Sequence, residues 1–477
     1  MEDEVSRSAA INLRCVFPPQ AGYFLIFIQR KIFNTQMINV QLKDKVSFCL
    51  LSIACCLFFT SCSIQQKISK SAKQVINDSS LLTAHVGISI YEPSSGKYWY
   101  NYQGDKYFVP ASNTKIPTCY AAMKYLGENL RGLDYLETDT VLFIRPTADP
   151  SFMHRDYKSQ PAFEYLRVSN KKLAFVEPKW ESEVYGSGWS WNDYNSDYMA
   201  ERSEMPIYGN VIEYNLQQNG NKYVLKGDIK FFRYALNEYV VPLTPNIRIR
   251  RRRVDNTFDV FSSNATFTKV QVPFRTFENQ RLLEDTLKKA WLDNVYPPSD
   301  QKFKSIYSRP TDSLLKPMMH RSDNFFAEQS LLMVSNERLG VMNDEKIIDT
   351  LLKTDLKDLP QKPRWVDGSG LSRYNLFTPQ DFVAILNKMK NEFGMERIKV
   401  ILPTGGTGTI SNYYKADSNF IFAKTGTLSG VVAFSGFLYT KKGKLLIFST
   451  LVNNHQASST AVRRAVEKFI EGIRNKY

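Results

Sequence analysis

Three short segments hold the residue types that a serine needs for acyl transfer: Ser112-Asn-Thr-Lys115, Ser322-Asp-Asn324 and Lys424-Thr-Gly-Thr427. On a helix, residues i and i+3 share a face, so the Lys115 amine can reach the Ser112 hydroxyl. A serine is a weak nucleophile until a base takes its proton, and a neutral lysine can be that base. A helix start also offers oriented N–H groups and a positive dipole end to developing negative charge. Lys424 brings a second cation, which near Lys115 lowers that amine's pKa and favours its basic form. Gly426 lets a substrate backbone approach closely. The Ser322 hydroxyl and the Asn324 amide have the chemistry to relay a proton and to hold a substrate amide.

None of these patterns is specific alone. Ser94, Ser169, Ser299 and Ser313 also have lysine three residues on, and Ser190-Trp-Asn192 and Ser262-Ser-Asn264 repeat the middle pattern. The elements around them decide. A helical segment over 112–126 ends at Gly127, and Pro117 either kinks it or lies in its first turns. Residues 312–397 read as helical, with Ser322 between two stretches. Phe420–Thr427, Gly430–Thr440 and Lys444–Asn453 read as strands, the last two joined by Lys441-Lys-Gly443. Val86–Tyr91 and Lys97–Tyr102 flank a turn and predict a hairpin. Val462, Val466, Phe469, Ile470 and Ile473 share one face of a C-terminal helix capped at Ser458 or Ser459. The middle, about 135–300, is rich in Tyr, Phe and Val with short strands. The order predicts an α/β fold, more narrowly α+β: an antiparallel sheet flanked by helices and split by a β-rich insert.

The chain has 477 residues, 43% hydrophobic and 23% charged, which excludes a disordered, collagen-like or coiled-coil protein. Its formal charge of +15 fits an anionic surface or polymer without identifying one. Within it, Arg248–Arg253 reads as a solvated strand or loop, or as a contact for an anionic envelope polymer or lipid headgroup. Cysteines occupy positions 15, 49, 55, 56, 62 and 119, so beyond Cys62 neither a disulfide nor a cysteine zinc site is available. The four histidines lack ligand spacing, and no metal or cofactor is expected. Residues 46–60 are an uncharged apolar run preceded by Lys43 and Lys45, shorter than the roughly 20 residues of a membrane span. With Thr60-Ser61-Cys62 behind it, the run predicts a secretory signal. Cys62 is then the acylated residue of a lipoprotein, with an uncleaved anchor or a plain signal peptide as the other readings. Met37 gives that signal a normal length, and polar residues 62–80 read as a tether.

Taken together, the three motifs resemble the active-site set of serine penicillin-binding proteins and β-lactamases. Gly188-Trp-Ser-Trp-Asn-Asp-Tyr194, Asp367-Gly-Ser-Gly-Leu-Ser-Arg-Tyr374 and Leu402-Pro-Thr-Gly-Gly406 narrow the likeness. They are similar to the class C low-molecular-mass penicillin-binding proteins, D-alanyl-D-alanine carboxypeptidases/endopeptidases with a large insertion between the first two motifs. Here 210 positions separate Ser112 from Ser322. The resemblance implies a catalytic domain of 81–135 and 301–477 around an insert of 136–300. It also implies that Ser112 attacks the carbonyl between two D-alanines, Lys115 accepts its proton, and Ser322 with Lys424 passes a proton to the departing amine. Asn324 would hold the substrate amide, and Lys424, Thr425 and Thr427 the terminal carboxylate beside Gly426. Backbone N–H groups of Ser112 and Thr427 would form the oxyanion hole. Peptidoglycan stem peptides and β-lactams are the implied partners, with a membrane contact through lipid at Cys62 and no nucleic acid. A β-lactamase and a non-catalytic envelope-binding lipoprotein of the same fold are the alternatives. One departure is Thr147-Ala-Asp-Pro150, which lacks the glycines expected before Asp-Pro.

Overall fold

The residues densest in Val, Ile and Phe build one antiparallel sheet. Its strands are β1 (His85–Glu92), β2 (Lys97–Tyr102), β14 (Ile421–Leu428), β15 (Val431–Tyr439) and β16 (Leu445–Asn453), in the order β14-β15-β16-β1-β2. The hairpin and the three late strands expected from sequence therefore meet through β1 and β16, with Ser89 opposite Ser449. β15 is buried along almost its whole length, because both faces of the sheet are covered. The C-terminal helix packs on β15 over one face, while Ala433, Phe437, Ile447 and Leu451 join a helical core on the other. Computed from the sequence, this structural model describes residues 66–73, 76, 78–79, 81–220, 222–232, 235–237, 246–264, 266 and 268–477.

Helices α1 (Lys115–Tyr125), α4 (Asp312–His320), α5 (Asn324–Leu339), α6 (Asp344–Lys353) and α7 (Pro379–Ile401) supply that core. Their starts follow capping chemistry. Asp323 accepts from the Phe326 N–H ahead of α5, and Thr378 and Asp381 form a reciprocal capping box with Pro379 at the first position of α7. α8 (Ser459–Lys476) is capped by Ser458 and buries Val462, Val466, Phe469, Ile470 and Ile473. Pro117 is the third residue of α1, where no intrahelical N–H bond is lost, so the helix is not kinked. Cys119, one turn beyond Lys115, is fully buried in the same core.

The chain between α1 and α4 is β-rich, with the short helices α2 (Pro161–Val168) and α3 (Asn279–Leu287). Its largest sheet joins β3 (Asn129–Glu137), β4 (Val141–Pro146), β5 (Lys172–Phe175), β12 (Trp291–Leu292) and β13 (Lys304–Pro310) in the order β12-β5-β4-β3-β13. The junctions read from sequence at 135/136 and 300/301 fall awkwardly in this sheet: β3 runs through the first, and its partner β13 lies just past the second. Two three-stranded sheets complete the segment: β11-β6-β7 and β8-β10-β9. Their strands are β6 (Val211–Asn219), β7 (Lys222–Gly227), β8 (Leu236–Asn237), β9 (Ile247–Arg251), β10 (Phe258–Ser262) and β11 (Lys269–Pro273). In the arginine run, Ile247, Ile249 and Arg251 are buried while Arg248 and Arg250 face outward; this is a half-buried strand with period two. Ala148, where glycine was expected, has φ +67° and is buried.

Part of the expected tether is structured. Residues 68–73 are helical, with Ile68, Ser71 and Ala72 buried within the compact unit Ile68–Tyr477. The apolar pair explains the docking, since it would otherwise stay in water. The signal segment and Cys62 lie outside the described residues. Among the described residues, no helix is long and apolar enough to cross a membrane.

Candidate active site

Ser112 lies in a single 3-10 turn, Ala111–Thr114, that runs directly into α1. In 3-10 geometry residues i and i+3 eclipse, and Lys115 Nζ lies 3.1 Å from Ser112 Oγ. The turn is held on all sides. Ala111 has φ +47°, a left-handed conformation that a non-glycine residue adopts at a cost. The Thr114 hydroxyl donates to the Ala111 carbonyl at 2.9 Å, and Asn113 Nδ2 donates to Ser435 Oγ at 2.7 Å. Ser435 then donates to Ser449 at 2.8 Å, so the nucleophile's turn is tied to β15 and β16.

The structure brings all five motif residues together. Lys115, fully buried, has three oxygen partners: Ser112 Oγ, Asn324 Oδ1 at 2.6 Å and the Ser369 carbonyl at 2.8 Å. Burial pushes its pKa down to about 8, and the carboxylates of Asp367, Glu328 and Asp323 oppose a further fall. An amine in that range is able both to accept and to return a proton near neutrality. Ser322 bridges α4 and α5 with φ +63°, a second strained residue at the site. Lys424 Nζ reaches Ser322 Oγ at 2.8 Å and the Thr425 carbonyl at 2.7 Å, which leaves its third donor position open. Burial and then the nearby cations Lys115 and Arg463 hold Lys424 well below the usual lysine range.

Thr425, Gly426 and Thr427, the residues expected to bind substrate, lie on one edge strand. β14 is outermost in its sheet, and among the described residues its first half pairs outward through the Thr404–Phe422 bridge and the Ala423 N–H to Pro403 carbonyl bond. Thr425 Oγ1 donates to Thr409 Oγ1 at 2.7 Å, and Arg463 of α8 donates to Thr427 Oγ1 at 2.5 Å. Gly426 also admits a close approach within the protein itself. A Cβ there would lie 2.7 Å from the Pro110 carbonyl oxygen and 2.9 Å from the Ser112 nitrogen; the close backbone is the protein's own nucleophile turn. Gly370, with φ +84°, does the same for Ala111, whose carbonyl oxygen would be 1.9 Å from a Cβ. Asn324 is shared: its oxygen faces Lys115, and its Nδ2 donates to the Tyr198 carbonyl at 3.0 Å, leaving one N–H over.

Several participants carry no motif signal of their own role. The Ser369 carbonyl is backbone chemistry, invisible in residue types. Asp367 is buried and accepts from the Gly370 N–H, the Ser372 N–H and Asn375 Nδ2 at 2.7–2.8 Å, and from Trp189 Nε1 at 3.0 Å. These bonds fold the Asp367–Asn375 loop against the insert, so the family-like segments containing Trp189 and Asp367 meet. Arg463 lies on the exposed side of an amphipathic helix in sequence and becomes visible only when α8 crosses β14. A cavity of about 330 Å³, lined in part by Ser322, Asn324, Tyr198, Asp197 and Arg321, opens beside the second motif.

The family model of the D-Ala-D-Ala carboxypeptidase 3 (S13) family matches residues 68–476. The D-alanyl-D-alanine carboxypeptidase DacB of Haemophilus influenzae is 23% identical over 431 residues, covering 79% of this chain and 87% of that protein. The crystal structure of penicillin binding protein 4 from Haemophilus influenzae superimposes with TM-score 0.67 at 20% identity, covering 86% of this chain and 98% of that one. Its complex with a novel β-lactam superimposes at 0.63, also at 20% identity and with the same coverage. Those structures share the fold; the family match spans the unit that carries the Ser112, Ser322 and Lys424 motifs, and the chain belongs to the D-Ala-D-Ala carboxypeptidase 3 (S13) family of serine peptidases.

Proposed function

We propose that this chain hydrolyses D-Ala-D-Ala and related cross-link bonds of peptidoglycan stem peptides in the periplasm, through an acyl-enzyme on Ser112. The observation that carries the assignment of roles is the pair of lysine–serine contacts, Lys115 to Ser112 and Lys424 to Ser322, with Asn324 against Lys115. Neutral Lys115 takes the hydroxyl proton as Ser112 Oγ bonds to the scissile carbonyl carbon. The oxyanion faces the Ser112 and Thr427 N–H groups; loss of one such donor typically costs about 10²–10³ in rate. As the C–N bond breaks, Ser322 gives its proton to the leaving amine and is reprotonated by Lys424; Lys115 passes the proton it took from Ser112 on to Lys424 and is neutral again when water arrives. Water, deprotonated by the same base, then releases the acyl group.

Substrate arrival supplies the timing. A carboxylate at Lys424, Thr425 and Thr427 favours protonated Lys424. Its positive charge then drives the neighbouring Lys115 towards the neutral, nucleophile-activating form. The open edge of β14 suits an extended peptide adding as a strand. The apolar run at 46–60 supports export, and Cys62 a lipid anchor; intact mass of the mature N-terminus checks both.

Labelled penicillin and a D-Ala-D-Ala stem peptide test the reading. Wild-type chain should be labelled stably and should release D-alanine, and Ser112→Ala should do neither. Absence of Ser112-dependent labelling overturns the assignment, and label that turns over rapidly points instead to a β-lactamase.

A further inference from the structure

Arg202 belongs to the inserted segment, yet its side chain is only 2% exposed. Its Nη1 lies 2.5 Å from Asp344 Oδ2 and 3.4 Å from Glu328 Oε2, while Nε donates to the Glu183 carbonyl at 3.0 Å. Glu328, on α5, is itself buried, and its Oε1 accepts the Ser369 N–H at 2.8 Å. The carbonyl of that same Ser369 receives Lys115 Nζ. Next to Arg202, Ser203 is clamped to α5 through both backbone groups: its N–H donates to Gln329 Oε1 at 3.1 Å, and its carbonyl accepts from Gln329 Nε2 at 2.8 Å. An unbroken series of polar contacts thus leads from the insert to the catalytic amine.

We propose that Arg202 is a positioning residue for Lys115, acting through Glu328 and the Ser369 peptide, so that the inserted segment tunes the catalytic base. The proposal rests on Lys115 being that base. A buried carboxylate without a partner is expensive, and Arg202 is the cation that holds Glu328 in place and favours its charged form. Burial first, and Asp367 second, raise Glu328 to about 7, against the pull of Arg202. Lys115 is faced by Glu328 and Asp323 from α5, by Asp367 from the following loop and by Lys424 from β14. Asp344 of α6 shares Arg202. A charged Glu328 favours protonated Lys115, so removing that charge lowers the pH at which the base becomes neutral.

The experiment is the pH dependence of the second-order rate of penicillin acylation for the full chain, wild type against Glu328→Gln, Arg202→Gln and Arg202→Lys. Glu328→Gln retains an oxygen for the Ser369 N–H and should move the acid limb to lower pH by about half a unit or more. Arg202→Gln should move it in the same direction, Arg202→Lys should restore it, and Arg202→Gln should add no shift in the Glu328→Gln background. An acid limb that stays at the wild-type pH in a folded Glu328→Gln protein overturns the relay, as does an Arg202 effect that persists without Glu328. If Arg202→Gln fails to fold, the Glu328→Gln profile decides alone. A wild-type chain with no Ser112-dependent acylation would overturn the peptidase reading itself.

Discussion

The two active-site lysines are both fully buried and each touches a serine hydroxyl, but their surroundings are opposite in charge. Lys115 sits among Asp367, Glu328 and Asp323 and has three oxygen partners. Lys424 has two, and the charges around it are the cations Lys115 and Arg463. Burial depresses both amines. Carboxylates then hold Lys115 within reach of neutral pH, where it can trade a proton; nothing comparable supports charge on Lys424 until an anion arrives. The surroundings of Lys115 suit a base, and those of Lys424 suit a carboxylate.

That contrast breaks first at Lys115. Lys115→Met should lower acylation by about 10³-fold, equally for substrates with and without a terminal carboxylate. Lys424→Met should cost about 10²-fold or more for the carboxylate form and less for its C-terminal amide, which loses the proton relay through Ser322 but no carboxylate contact; equal loss for a D-Ala-D-Ala peptide and its C-terminal amide would erase the distinction. Gly426→Ala pushes a Cβ into the Ser112 turn and separates the two pockets, so acylation should fall about 10-fold or more while far-UV circular dichroism stays unchanged. For the wild type, acylation measured against pH should rise about tenfold per unit below about 8. A saturating carboxylate substrate should move that limb to lower pH, because charged Lys424 disfavours charge on Lys115. The smallest effect lies away from both lysines. Ala148→Gly relieves a left-handed alanine at the entry to the insert and should stabilise the chain by about 0.5 kcal/mol in denaturant titration, once glycine's entropy is subtracted.

The sequence carried the motif residues and the elements under them with little loss. Local signals are enough for Ser112 before α1, for Lys424 on β14 and for the apolar stripe of α8, since period and caps lie within a few residues of each other. What it hid is non-local. β3 and β13 are separated by the whole insert before they pair, and β3 also pairs with β4, so a boundary drawn from composition cuts through the end of β3 and parts it from β4. The Ser369 carbonyl, the Arg202–Glu328 contact and the reach of Arg463 to Thr427 depend on how distant segments cross. Residues 68–73 are hidden for another reason: Ile68 and Ala72 are too few to give a period, and only the surface they meet shows that they are buried.

Cys119 gives the helix behind the nucleophile a chemical clock. Its thiol is fully buried, and burial raises its pKa, so it is neither exposed nor a thiolate while α1 is seated. It is the free cysteine among the described residues. Alkylation of this sulfur therefore waits for α1 to leave the core, and its rate reports how often the scaffold under Ser112 opens.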